Sequence, residues 1–386
     1  MTEYYNIFKL KSNFKKNFYL IREEKMKKVF KISSAFIGVI VGAGFASGQE
    51  ILQYFTSFGT MGILGGIVST ILFSYIGMVL VWAGSKTNAD DHKIVIKKFT
   101  NYPVIGRILS WIIDIVLIIT LFSFGVVMLA GAGSNLEQQF GIPSVYGTAL
   151  MAIVVIIAGM LKIDFIVKII GYVTPFLVLM ILVISVYCVI TLDTPYGTLD
   201  KVATSVQSPF PHWIIAGANY VSMNIGLGAA MAIVIGGAEN NKRAAAIGGL
   251  LGGLVLGILI ILSHLAIFAK IEVVKDLPLP MLGIVNEISP ILGIVMSVII
   301  FAMIFNTALS MFYSFSARFT IVDTKSFKIF YIISTLAGFG LSFVGFTKLV
   351  NKVYPILGNL NYLLILVILI APIKFHFDNK KNYIER

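Results

Sequence analysis

Four glycines, Gly38, Gly42, Gly44 and Gly48, fall within eleven residues of an otherwise apolar stretch that runs directly into Gln49 and Glu50. Glycine costs about 1 kcal/mol relative to alanine inside a helix and tolerates positive φ, so this stretch can unwind at little cost. Unwinding frees backbone N–H and C=O groups, which within a bilayer are tolerated only against a cavity, a ligand or an ion. The same spacing also suits close helix packing through small residues. Glu50 favours a binding site, because a carboxylate inside a span is costly and usually functional. A position near the outer mouth is its alternative.

A second polar cluster, Asn219, Ser222 and Asn224 with Gly226 and Gly228, lies in the apolar stretch Ala218–Ala230. Its amides and hydroxyl can bind a zwitterionic ligand or pair with neighbouring helices. Half-helix N-termini carry partial positive charge suited to a carboxylate, while freed carbonyls suit an amine or a cation. The predicted substrate site is therefore Gly42, Ala43, Gly44 and Ser47 with Asn219, Ser222, Asn224 and Gly226. Glu50, Asp114 and His264 are candidates for carrying a proton. For Asp114, pairing with Arg107 or a neighbouring lysine at a basic rim is the competing role; for His264, it is contact with water or a carbonyl.

Other chemistries lack their residues. The four histidines are far apart and none sits in HExxH spacing, so no metal centre is expected. Gly42-Ala43-Gly44 and Gly131-Ala132-Gly133 begin like dinucleotide fingerprints but do not complete them, and no Walker A sequence occurs. Cys188 stands alone in an apolar run. No enzymatic activity, organic cofactor or nucleic-acid partner is predicted.

These residues must be positioned by membrane spans. The chain has 386 residues, 58% hydrophobic and 12% charged, against about 25% charged in soluble domains. Hydropathy predicts ten spans: Val29–Phe55, Met61–Ser85, Ile105–Leu136, Ser144–Leu161, Phe165–Thr191, His212–Gly237, Ala244–Ala269, Ile291–Ala317, Phe327–Gly345 and Lys348–Ile373. With alternating loops, 25 of the 30 Lys and Arg fall on the side of the termini. Both termini are thus predicted in the cytoplasm of a multi-pass plasma-membrane protein. The predicted divisions are a basic N-terminal segment (1–28), a first five-helix unit (29–191), an external connector (192–211), a second unit (212–373) and a cytoplasmic tail (374–386). Met26, just ahead of Lys27 and Lys28, is an alternative start. The proline-bearing stretch from Glu272 to Pro290 is either a lid or an inert connection.

A shift of about 182 residues lays the first five spans on the second five, in order and loop length more than in identity. An odd number of spans per half means that the second half enters from the opposite face. That is the inverted repeat of secondary transporters, which places substrate near the midplane where the first and sixth helices are interrupted.

The segment Ile37-Gly38-Val39-Ile40-Val41-Gly42-Ala43-Gly44-Phe45-Ala46-Ser47-Gly48-Gln49-Glu50 resembles the opening of the YkvI-like bacterial membrane proteins of the amino acid-polyamine-organocation superfamily, and the resemblance spans the chain from about Met26. It implies the leucine-transporter fold: an all-α protein of five plus five helices with the first and sixth broken. It implies no substrate. In sodium-coupled members of that fold, carbonyls of the first helix and hydroxyls of the eighth form a cation site. By that resemblance the Val39 and Gly42 carbonyls with Thr307 and Ser310, three residues apart on one helical face, are the candidate sodium site. Hydroxyls bonding back to their own helix are as frequent. Some proton-coupled relatives replace the ion with a lysine in the fifth helix; here that helix has only Lys168, at its cytoplasmic start, which mildly favours sodium.

The expected function is ion-coupled secondary transport of a small organic solute, an amino acid or related amine, by alternating access. The alternative is a transporter-fold sensor that binds a small ligand without moving it. Oligomeric state is not legible.

Overall fold

The computed structural model describes residues 23–24, 26–100, 105–160 and 173–384. The N-terminal residues through Arg22, Lys25, Lys162, Lys168, the fifth predicted span from Phe165 to Tyr172, Glu385 and Arg386 lie outside the described residues. All described secondary structure is helical. Helix α1 (residues 26–40) leads into two short helices, α2 (Ala43–Ser47) and α3 (Gln49–Tyr54), and a 3-10 turn (Thr56–Met61). Then follow α4 (Gly62–Thr87), α5 (His92–Phe99), α6 (Ile105–Phe140), α7 (Ser144–Gly159), α8 (Val173–Ile190) and α9 (Tyr196–Ser205). The second part holds α10 (Trp213–Gly237), α11 (Lys242–Ala269), α12 (Ile271–Val274), α13 (Pro280–Ile288), α14 (Pro290–Ser316), α15 (Lys325–Ser342) and α16 (Phe346–Ile384).

Among the described residues, six helices are long and apolar enough to cross a membrane: Thr56–Thr87, Gly106–Phe140, Trp213–Gly237, Lys242–Ala269, Pro290–Ser316 and Phe346–Ile370. Ser144–Gly159 and Pro175–Ile190 are apolar and shorter. Capping chemistry sets several starts. Asn241 Oδ1 accepts from the N–H groups of Arg243 and Ala244 at 3.1 Å, opening α11, and Thr324 Oγ1 accepts from Phe327 N–H at 3.2 Å, opening α15. Large apolar side chains such as Ile71, Ile153 and Ile333 stay exposed along the outer helix faces. Such a belt suits hydrocarbon and not water.

Glycines set the closest helix approaches. On α11, a Cβ at Gly248 or Gly252 would press on Ile32 or Phe36 of α1, whereas one at Gly249 would press on the Gly77 backbone of α4. Small residues on two faces thus let one helix seat two neighbours. The stretch after α11 is no open loop. Met281, Leu282, Ile284 and Val285 of α13 are buried, and Gln138 of α6 grips Leu279 by donating to its carbonyl at 2.9 Å and accepting from its N–H at 2.8 Å.

Candidate functional site

The first predicted span is broken where the glycines are densest. Regular helix stops at Ile40, where Val41 N–H still donates to the Ile37 carbonyl at 2.8 Å; the extended Gly42 (φ −105°, ψ −172°) breaks the run, and α2 restarts at Ala43. A second interruption follows at Gly48, whose φ of 80° lies in the left-handed region that favours glycine. A Cβ there would also come within 2.7 Å of Met281 Cγ on α13. Ser47 Oγ works locally, donating to the Gly44 carbonyl at 2.7 Å and accepting from Gln49 N–H at 3.1 Å.

The double break turns α3 so that the Glu50 carboxylate folds back over Gly44, in space that any Cβ at Gly44 would occupy. Glu50 is buried, and its Oε2 accepts from the Tyr220 hydroxyl at 3.1 Å. Among the described residues, no cationic side chain pairs with it. Buried polar groups of α3, α10, α16 and α6 pair across the neighbouring helix interfaces. The Tyr54 hydroxyl donates to Asn219 Oδ1 at 3.2 Å, and Asn224 Nδ2 donates to the Tyr220 carbonyl at 3.0 Å. Asn361 Nδ2 donates to Thr120 Oγ1 at 3.1 Å and to the Leu357 carbonyl at 2.9 Å. The Tyr354 hydroxyl and Asn361 Oδ1 are buried without a hydrogen-bond partner. A buried orphan of this kind is a place for a ligand, an ion or a water.

The sixth predicted span departs from expectation. Helix α10 is continuous from Trp213 to Gly237, through Ile225 and both glycines, so the expected break there is corrected. Its glycines serve as notches instead: a Cβ at Gly226 would overlap Asn361, and one at Gly228 would meet Val39 and Ile40. Two of its predicted substrate residues face α16. Asn219 Nδ2 donates to the Pro355 carbonyl at 3.1 Å and to Asn359 Oδ1 at 2.8 Å; Ser222 Oγ donates to the Gly358 carbonyl at 2.7 Å. Proline lacks an N–H, so α16 carries a gap in its ladder at Pro355 close to these contacts.

No family model matches the chain. The uncharacterized membrane protein YkvI of Bacillus subtilis (strain 168) is 25% identical over 343 residues, covering 87% of this chain and 94% of YkvI. The chain is homologous to YkvI. The uncharacterized protein YyaD of the same organism is likewise 25% identical, over 338 residues and 95% of its own length. Among solved structures, the inward-facing conformation of Mhp1 aligns with a TM-score of 0.60 at 16% identity, over 87% of this chain and 75% of Mhp1. MhsT in complex with L-phenylalanine gives 0.58 at 15%, over 90% and 96%. An Eremococcus coleocola manganese transporter gives 0.56 at 14%, over 89% and 78%. The likeness shows the fold: this YkvI homologue is a helical membrane protein with the architecture of leucine-transporter-fold carriers.

The predicted sodium site assembles in part. Thr307 Oγ1 lies 3.7 Å from where a Cβ at Gly42 would sit, so α14 does meet the first break; the hydroxyl donates to the Met303 carbonyl at 3.0 Å. Ser310 is exposed and turned away, and the Gly42 carbonyl accepts from Ala46 N–H at 3.0 Å. Val39 packs its side chain towards Gly228. Two ionisable residues stand apart from Glu50. Asp114 binds Arg318 Nη1 at 2.6 Å, which corrects the expected pairing with Arg107 or a lysine. Its partner lies 204 residues away, beyond the reach of local sequence reasoning. His264 is buried and its Nδ1 meets Thr56 Oγ1 at 3.1 Å, a hydroxyl in place of the expected water or carbonyl.

Sequence reasoning passed over Tyr54, Tyr220, Tyr354 and Asn361. The overlooked signal was a tyrosine or asparagine inside an apolar span, whose polar end needs a partner at depth.

Proposed function

We propose that the protein is a secondary transporter that moves a small organic solute, an amino acid or related amine, by ion-coupled alternating access. The observation that carries this reading is Glu50: a buried carboxylate with, among the described residues, a single neutral donor, placed where the first span breaks and near the unpartnered Tyr354 hydroxyl. Placing an acidic residue at the centre of a span costs about 3 kcal/mol, and one hydrogen bond returns about 1 kcal/mol. A cation is the complement that such a site lacks, supplied by an amine, a proton or sodium. That Mhp1, MhsT and the manganese transporter share the fold supports a carrier over an enzyme.

In this reading the ten-span, five-plus-five inverted repeat and the superfamily membership hold, but with one broken helix. The second half then contributes side chains instead of freed backbone. Sodium is favoured over protons as the coupling ion, with Gly42 and Thr307 at its site. Both termini lie in the cytoplasm of a plasma-membrane protein, because the basic residues gather on that side. Uptake of a labelled amino acid and amine panel into proteoliposomes, with sodium, proton or no gradient, tests the proposal. Gradient-driven accumulation abolished by Glu50→Gln supports it. Ligand binding without uptake or counterflow transfers the assignment to a membrane sensor, and neither binding nor uptake overturns both.

A further inference from the structure

A cavity of about 280 Å³, separate from the residues around the first break, opens between α5 and the first turns of α6. Its rim carries Lys93 and Lys97, one helical turn apart on α5, and Arg107 on α6; all three are exposed. Among the described residues none of the three forms an ion pair. Among the described lining residues the one carboxylate, Asp114, is held by Arg318 at 2.6 Å. The cavity thus presents three free positive charges to whatever enters.

Below that rim the lining turns apolar, through Trp111, Ile113 and Leu117 of α6. Trp111 is 67% exposed and neighbours Ile108, which is 57% exposed, so this side of α6 offers an aromatic and an aliphatic surface to hydrocarbon. Tryptophan gathers at the headgroup level of bilayers, where its ring is buried and its N–H is wet. Helix α5 fits the same boundary. It buries Val95, Ile96 and Phe99 against the protein, keeps its lysines outward, and is opened by Asp91 Oδ1 accepting from Lys93 N–H at 3.0 Å.

We propose that this cleft binds an anionic phospholipid, with the phosphate at Lys93, Lys97 and Arg107 and an acyl chain descending along Trp111 and Leu117. A free phosphate would use the cations and leave the apolar wall unexplained. A zwitterionic lipid would use the wall and gain little from three cations. The volume suits a headgroup, being at the lower end of small-ligand pockets. The back of the cleft is formed by His92 and Asp114, which both hold Arg318 from the end of α14. A bound headgroup therefore touches the tie between α5, α6 and α14.

The test is native mass spectrometry of the full-length protein released from detergent, with phosphatidylglycerol or phosphatidylcholine of identical chains, and glycerol 3-phosphate as the free anion. The proposal expects preferential retention of phosphatidylglycerol and no retention of glycerol 3-phosphate. Each cation is worth about fivefold near an anionic surface, so K93Q/K97Q/R107Q should lose that lipid by tenfold or more. Lys325→Gln with Lys328→Gln, on exposed lysines of α15, should leave retention unchanged. Trp111→Ala should weaken retention without changing the preference between headgroups. Equal retention of both lipids by the unaltered protein overturns the proposal. So do an equal loss in the α15 variant, which would indicate only diffuse charge, and binding of glycerol 3-phosphate as tight as that of the lipid.

Discussion

The Tyr220 hydroxyl donates to Glu50 Oε2 at 3.1 Å and thereby joins the broken first span to the unbroken α10. Both partners are buried, and the donor ring is enclosed edge-on by Phe55 and Phe73. Removing one partner leaves the other unsatisfied, which costs more than the bond contributes. Tyr220→Phe should lower thermal stability by about 1–3 kcal/mol and reduce uptake, because it strands a carboxylate. Glu50→Gln in the same background should recover stability but not uptake. A double-mutant cycle on melting and on initial uptake rates checks both halves, and additive effects on stability would show that the pair is not coupled.

Neighbouring glycines of the first break should respond oppositely to a methyl group. At Gly42 an added Cβ meets nothing nearer than Thr307 Oγ1 at 3.7 Å, and φ of −105° suits any residue. At Gly44 the same atom would overlap the Glu50 carboxylate. Gly42→Ala should therefore melt within about 1 kcal/mol of the parent protein, while Gly44→Ala should lose about 1–3 kcal/mol through overpacking and also lose uptake. Equal melting temperatures for the two variants would contradict the placement of Glu50.

The contrast between the two halves explains how far the sequence could be read. The break at Val41–Gly42 was legible because four glycines in eleven residues lower helix propensity locally, and propensity acts within a few residues. In α10 the glycines were misread: Gly226 and Gly228 accommodate Asn361 and Ile40, partners far away in the chain. The same limit hid Tyr54, which meets Asn219 across 165 residues, and sent Asp114 to the wrong cation. Six span positions were legible because bilayer thickness fixes apolar length whatever the tertiary partners.

The candidate ion site makes a prediction that separates its two hydroxyls. Thr307 faces the first break while Ser310 is exposed, although the two lie three residues apart on α14. Thr307→Val keeps the shape and removes the oxygen, so it should raise the sodium concentration needed for half-maximal uptake by tenfold or more. Thr307→Ser should restore it. Ser310→Ala should behave like the parent protein. Uptake measured against sodium concentration decides, and an unaltered curve for Thr307→Val removes that hydroxyl from the ion site.

The tie at the basic face should loosen in acid, and its tautomer says why. Arginine only donates, so His92 Nε2 accepts from Arg318 Nη2 at 3.2 Å and the imidazole N–H at Nδ1 faces Asp91 Oδ1 at 2.9 Å. A second proton would set an N–H against the guanidinium. Burial, then the Arg318 charge, hold the His92 pKa below its usual 6.5, with Lys93 adding to the depression and Asp91 and Asp114 opposing it. With the folded value lowered, the unfolded chain takes the proton first. The contribution is therefore present above pH 6.5 and is lost as pH falls from there towards the folded value. Melting temperature should drop on acidification through this window, and the drop should be smaller in His92→Gln, whose amide oxygen can still accept from Arg318. Identical pH profiles for the two proteins would show that His92 does not sense protons.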